Sequence, residues 1–141
     1  MTVPARISLV TLGVTDLARS RAFYDALGWE RVGDNEGVAF FRTGGAILSL
    51  YPLESLAEDA HLGPERTGFS GISLAINLAS VEAVDAAFAT AAAIGATILK
   101  PAELVFWGGY SGYFADPDGY AWEVAHNPHW PLDAEGLPQL P

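Results

Sequence analysis

Gly108-Gly-Tyr-Ser-Gly-Tyr-Phe-Ala-Asp-Pro-Asp-Gly-Tyr-Ala-Trp-Glu-Val-Ala-His-Asn-Pro128 reads as a β-hairpin with one carboxylate on its second strand. The turn is Asp116-Pro117-Asp118-Gly119. Proline suits the second position of a type I turn, aspartate bonds back to its own backbone, and glycine takes the positive φ that follows. In the strand Tyr120–Ala125, Tyr120, Trp122 and Val124 point one way, and Ala121, Glu123 and Ala125 point the other. Glu123 is thereby expected between two alanines, with space over it, opposite a bulky packed face.

Working outward from the hairpin, the same element order occurs twice. Ile7–Val14 is apolar on both faces and predicts a strand buried on both sides. Thr15 or Asp16 caps a helix reaching about Leu27, with Leu17, Tyr24 and Leu27 on one side and Gly28 as its stop. Short strands follow near Trp29–Gly33, Val38–Arg42 and Ala46–Tyr51, joined by Asp34-Asn35-Glu36-Gly37 and Thr43-Gly44-Gly45. The order is βαβββ.

Residues 53–69 read as a connector with acidic Glu54, Glu58, Asp59 and Glu65, and one helical turn near Leu53–Ala60. Then Ser70–Asn77 predicts a strand, and Ser80 caps a helix with Val81, Val84, Phe88 and Ala91 on one face. Further strands are expected at Thr97–Leu99, Leu104–Trp107, Tyr110–Phe114 and Tyr120–Ala125. Both copies open with Ile-Ser-Leu, at Ile7–Leu9 and Ile72–Leu74. The 141 residues thus form a single domain of two modules, 5–52 and 70–127, with a Pro-rich tail over 128–141. The fold class is α+β: paired βαβββ modules forming a curved mixed sheet around a cleft, with helices outside.

Half the residues are hydrophobic, enough for a real core. A net charge of −10 and a pI near 4.4 disfavour nucleic acid and anionic membrane surfaces and favour cationic ligands. There is no cysteine, hence no disulfide, thiolate nucleophile or zinc–cysteine site. No signal peptide or apolar span is evident, so a cytoplasmic protein is expected. Nucleophile elbows, phosphate loops and dinucleotide fingerprints are absent.

Two stretches, Val14-Thr-Asp-Leu-Ala-Arg-Ser-Arg-Ala-Phe-Tyr-Asp-Ala-Leu-Gly-Trp29 and Phe114-Ala-Asp-Pro-Asp-Gly-Tyr-Ala-Trp-Glu123, resemble the first-helix signature and closing hairpin of the vicinal oxygen chelate superfamily. That group includes glyoxalase I, extradiol dioxygenases, fosfomycin-resistance enzymes and bleomycin-resistance proteins. The resemblance spans roughly residues 5–127. It implies a divalent metal held by side chains from four strands, acting as a Lewis acid on adjacent substrate oxygens. The family's ligand positions fall at Leu9, Ser49, Gly71 and Glu123, of which Glu123 alone matches. No His, Asp, Glu or Cys lies in Ile7–Thr11, Ile47–Tyr51 or Phe69–Ser73, so a slip of register restores no ligand. The usual four-ligand centre, and any other cofactor, is therefore not expected.

Three roles are open to Glu123: a general base in a partly apolar cleft, an anchor for a cationic or hydrogen-bonding ligand, or a carboxylate engaged only in structural hydrogen bonds. His61 lies in the acidic connector. His126 and His129 flank Asn127-Pro128, where proline prevents a helix that would align them. Tyr51, Phe106, Trp107, Tyr110 and Tyr113 are expected around the cleft, with Trp107-Gly108-Gly109-Tyr110 as a mobile rim. Arg42 is the one cation considered as an oxyanion partner. The candidate ligand-binding set is Leu9, Ser49, Tyr51, Trp107, Tyr110 and Glu123. Two functions fit. The first is a metal-independent small-molecule binding protein, homodimeric, similar to the bleomycin-resistance branch, with a cationic or aromatic ligand. The second is a glyoxalase-type lyase or isomerase, or a dioxygenase-like enzyme, using Glu123.

Overall fold

The computed structural model describes residues 2–33 and 35–140. Its elements are β1 (Leu9–Val14), α1 (Leu17–Ala26), β2 (Glu30–Val32), β3 (Ala39–Arg42), β4 (Ile47–Pro52), α2 (Leu53–Ala60), β5 (Ser73–Asn77), α3 (Val81–Ala93), β6 (Thr97–Leu104), β7 (Tyr110–Ala115) and β8 (Ala121–His126). The α+β class and the doubled βαβββ order are those read from the sequence. The strands hydrogen-bond as two four-stranded sheets, ordered β1-β4-β3-β2 and β5-β8-β7-β6. In each sheet the outer two strands of the module pair in parallel, β1 with β4 and β5 with β8. The chain divides into two compact units, Met1–Glu65 and Arg66–Pro141.

In the first unit, Asp16 accepts the Arg19 amide at 3.0 Å and starts α1. Gly28, at φ 88°, ends it, donating to the Asp25 carbonyl at 3.0 Å. Only an achiral residue takes that conformation without strain. The buried side of α1 is Ser20, Phe23 and Tyr24, not the Leu17–Tyr24–Leu27 line expected. Tyr24 packs on Trp29 and Phe41, above a core of Leu12, Val14, Leu48 and Leu50. Truncating such an aromatic costs roughly 3–5 kcal/mol.

β1 departs from expectation. It begins at Leu9, which is 46% exposed, and Thr11 is also exposed; only Leu12, Gly13 and Val14 are buried. On the face of Leu9, Thr11 and Gly13, α2 meets β1 at the Gly13 end. A Cβ on Gly13 would lie 2.7 Å from Leu53 Cδ1. The expected single turn in the connector is in fact α2, eight residues long. Among the described residues, no helix is long and apolar enough to cross a membrane. Asp34, assigned to the first turn, lies outside the described residues.

In the second unit, Ser80 Oγ accepts the Ala83 amide at 3.0 Å and caps α3. Val84 and Ala91 are fully buried, and Phe88 meets Phe114 edge-on, as the helix pattern required. The separate strands expected at Thr97–Leu99 and Leu104–Trp107 are instead one strand, β6, with two register shifts against β7. Pro101 lacks an amide proton and sits in the irregular stretch, which the bulges absorb. Gly112 makes this possible, since a Cβ there would lie 2.5 Å from the Lys100 carbonyl oxygen and 2.7 Å from the Ala102 nitrogen. The β7–β8 turn matches its sequence reading. Asp116 Oδ1 accepts the amides of Asp118 and Tyr120 at 3.0 and 2.9 Å, and Gly119 has φ 85°. In the tail, Asp133 Oδ1 accepts the amides of Glu135 and Leu137, closing a short loop.

Candidate ligand-binding face

The two faces of β8 differ in chemistry. Trp122 and Val124 are buried on the α3 side, where Trp122 stacks on Phe114 at 6.5 Å between centroids. The other face carries Ala121, Glu123 and Ala125, as alternation predicts. Across the sheet, Glu123 pairs with Ala75 on β5 and with Tyr113 on β7. A row Ala75–Glu123–Tyr113 thus runs over the face away from α3, where Ser111, Ala121 and Ala125 are buried and Glu123 is half-buried.

Tyr113 and Glu123 are directly paired across β7 and β8. The Tyr113 phenol is held above the usual tyrosine value, first by burial, then by the neighbouring Glu123 charge. None of β5, β7 and β8 carries Lys or Arg. Lys100, in register with Tyr113 on β6, is ion-paired with Glu103 at 3.3 Å. Arg66 lies 4.2 Å from the Tyr120 ring centroid and donates to the Asp118 carbonyl, so it is committed to the hairpin turn. Among the described residues, then, Glu123 lies beside the Tyr113 phenol across the strands and makes no ion pair.

Tyr110 does not share this face. It stands three positions from Tyr113 on β7, an odd step that reverses direction. Its O–H donates to Asp85 Oδ1 on α3 at 2.7 Å, and that bond, then desolvation, then the Asp85 charge, raises its pKa. Trp107 lies in the β6–β7 turn, its ring against Gly109, and Phe106 beside it is fully exposed. The turn is closed by Val105 N–H to the Gly109 carbonyl at 2.9 Å and Gly108 N–H to the Val105 carbonyl at 3.0 Å. Tyr113, outside the candidate set, is the residue that meets Glu123. Its signal was in the hairpin: counting back from the Asp116–Gly119 turn sets 113 opposite 123.

In the first unit, Leu9, Ser49 and Tyr51 lie with Thr11 and Phe40 on the face away from α1, by register. Ser49 is only 3% exposed, between Thr11 and Phe40. Arg42 pairs with Glu30 at 3.6 Å and is exposed. Gly71, at φ 82°, precedes β5.

A divalent ion of the zinc type needs several nitrogen or carboxylate donors at about 2.0–2.2 Å. Leu9, Ser49, Gly71 and Glu123 supply one carboxylate and one hydroxyl among them, so these residues do not fit the family's four-ligand centre. Among the described residues, no three His, Cys, Asp or Glu side chains converge. His126 Nδ1 is 3.0 Å from the Leu78 carbonyl, His129 is held at Asn127 by its amide, and His61 is the left-handed cap of α2.

The family model "Glyoxalase/Bleomycin resistance protein/Dioxygenase superfamily" matches residues 6–124, and the chain belongs to that superfamily. Among solved structures, it is similar to a glyoxalase-related enzyme from Fulvimarina pelagi, with 33% identity and a TM-score of 0.88, covering 97% of this chain and 99% of that one. A glyoxalase/bleomycin resistance protein/dioxygenase from Nocardioides is 26% identical, with a TM-score of 0.74 over 100% of this chain and 93% of that one. Lactoylglutathione lyase from Agrobacterium tumefaciens is 25% identical, with a TM-score of 0.70 over 93% and 100%. No curated protein matches the chain.

Proposed function

We propose that this superfamily member binds a small cationic or aromatic molecule on the helix-free face of its second sheet, with Glu123 as anchor and without the family's metal centre. The observation that carries the reading is the half-buried Glu123 carboxylate, opposite Tyr113 across β7 and β8, on three strands that hold no Lys or Arg. A partly buried anion without a cation attracts one from solution, and the net charge of −10 adds to that attraction. Leu9, Ser49, Tyr51 and Trp107 remain candidate ligand contacts in this proposal. We further propose a cytoplasmic homodimer with no nucleic-acid or membrane partner. Leu99 and Leu104 stand exposed on the edge strand β6, and light scattering during size exclusion tests the dimer.

The reading is tested by a thermal-shift screen of amines and aromatic cations against wild type and Glu123→Gln. Stabilisation of the wild type alone supports it. Equal shifts in both proteins contradict it.

The second reading is a glyoxalase-type or dioxygenase-like enzyme with Glu123 as base or ligand, favoured by the likeness to the glyoxalase-related enzyme of Fulvimarina pelagi. Proton abstraction beside a carbonyl needs an oxyanion stabiliser worth several kcal/mol. Arg42, the cation considered for it, is engaged with Glu30. Metal analysis after incubation with Zn²⁺, Ni²⁺, Mn²⁺ and Fe²⁺ separates the readings: near-stoichiometric metal lost in Glu123→Ala favours the enzyme.

A further inference from the structure

We propose that Ser111 and Asn77 are specificity-determining residues beside Glu123, a second and uncharged contact point that selects an amino alcohol over the matching simple amine. This rests on the reading of Glu123 as ligand anchor.

Register places the three side chains together. Ala125 pairs with Ser111 on β7 and with Asn77 on β5. Directly paired residues share a face of the sheet, so Ser111 and Asn77 flank Ala125 on the face that carries Glu123. Only the small Ala125 side chain stands between them. Glu123 belongs to the adjacent row and is the diagonal neighbour of Ser111, about 7–8 Å away between backbones. Beyond Ser111, on β6, Glu103 is already ion-paired with Lys100 at 3.3 Å.

A second observation is independent of register. Ser111 is buried and Asn77 half-buried, yet among the described residues neither side chain makes a hydrogen bond. The one fully enclosed side-chain atom without a bond is Arg21 Nε, so the Ser111 hydroxyl and the Asn77 amide are unpaired but still within reach of solvent. Polar groups placed in this way cost free energy unless something bonds to them. A ligand hydroxyl both donates and accepts, which suits a serine hydroxyl and a carboxamide together. Two hydrogen bonds of about 2.8 Å joined by a two-carbon bridge span the gap from the carboxylate to Ser111. An amine without the hydroxyl covers both groups and leaves them unbonded, which such a site disfavours.

The test titrates phenethylamine and phenylethanolamine, which differ by one hydroxyl joined to the nitrogen through two carbons. Calorimetry or NMR reads their binding to wild type, Ser111→Ala, the double variant Ser111→Ala/Asn77→Ala, and Glu123→Gln. Wild type is expected to favour phenylethanolamine by at least about fivefold, the scale of one hydrogen bond. Ser111→Ala lowers this preference, and the double variant binds the two amines alike. Ser111→Ala also melts close to wild type, since it gives up no hydrogen bond within the fold. A smaller preference in wild type, a preference unchanged in the variants, or a fall of several degrees in the melting temperature of Ser111→Ala overturns this inference. The anchor reading then stands if both amines still depend on Glu123. Binding of both amines that persists in Glu123→Gln, or no binding to wild type, overturns the anchor reading and this inference with it.

Discussion

The two sheets place the same three positions in the same pairing and fill them with opposite chemistry. In the first, Ser49 lies between Thr11 and Phe40; in the second, Glu123 lies between Ala75 and Tyr113. Ser49 is sealed at 3% exposure, whereas Glu123 remains partly exposed beside small residues. The adjacent positions differ too. Ala39, paired with Leu50, corresponds to Gly112, paired with Val124. The difference teaches that repetition preserves the ladder of hydrogen bonds, which belongs to the backbone, while side chains on the face away from α1 and α3 diverge.

The largest effect is expected from giving the first row the second row's carboxylate. Ser49→Glu buries a charge with no cation opposite, a loss of about 3 kcal/mol or more. Burial raises the folded-state pKa of such a group, so the loss deepens as pH rises from 4 to 8. Urea unfolding at the two pH values checks this, and a pH-independent change under 1 kcal/mol would break the contrast between the rows.

Next is Gly112→Ala, which installs in the second sheet the residue found at the matching position of the first. The new methyl meets backbone atoms of the β6 bulge at 2.5 and 2.7 Å, which cannot rotate away. A destabilisation of about 1–3 kcal/mol is expected. Gly13→Ala, which mainly meets the movable end of Leu53, should cost less.

Smaller still is Glu123→Gln. The isosteric amide keeps the shape and removes only the charge, so stability should change by less than about 1 kcal/mol while cation binding is lost. A large fall in melting temperature would make Glu123 a structural residue, no different in kind from Ser49.

The smallest effect is at high pH. Tyr113 and Tyr110 both have raised folded-state values, the first chiefly through burial and the second chiefly through its bond to Asp85. Their contribution is fully present below the unfolded tyrosine value near about 10 and fades as pH rises through the folded ones. Tyr113→Phe and Tyr110→Phe should each flatten that alkaline decline, measured by thermal melts between pH 8 and 11.

How far the sequence reached follows from what sets each feature. The Asp116–Gly119 turn sets an antiparallel register locally, so the direction of Glu123, and with it the Tyr113 pairing, was legible. Alternation also separates Tyr110 from Tyr113, although composition alone groups them as one aromatic set. The parallel partner Ala75 was not legible, because no turn ties β5 to β8 and a whole helix and two strands intervene. The Ile-Ser-Leu repeat misleads by one step: Leu9 opens β1, whereas Leu74 is the second residue of β5, so the two face opposite ways. The β6 bulges escaped notice because Pro101 reads as a strand break, and only the missing Cβ of Gly112 lets the strand continue past it.

The most direct test of the account is an NMR titration of EDTA-treated, ¹⁵N-labelled protein with benzylamine. The account predicts amide shifts clustered at Ala75, Ser111, Tyr113, Glu123 and Ala125, absent in Glu123→Gln. Shifts centred instead on the α3 side, at Tyr110 and Trp122, or binding that appears only when a divalent metal is restored, would contradict it.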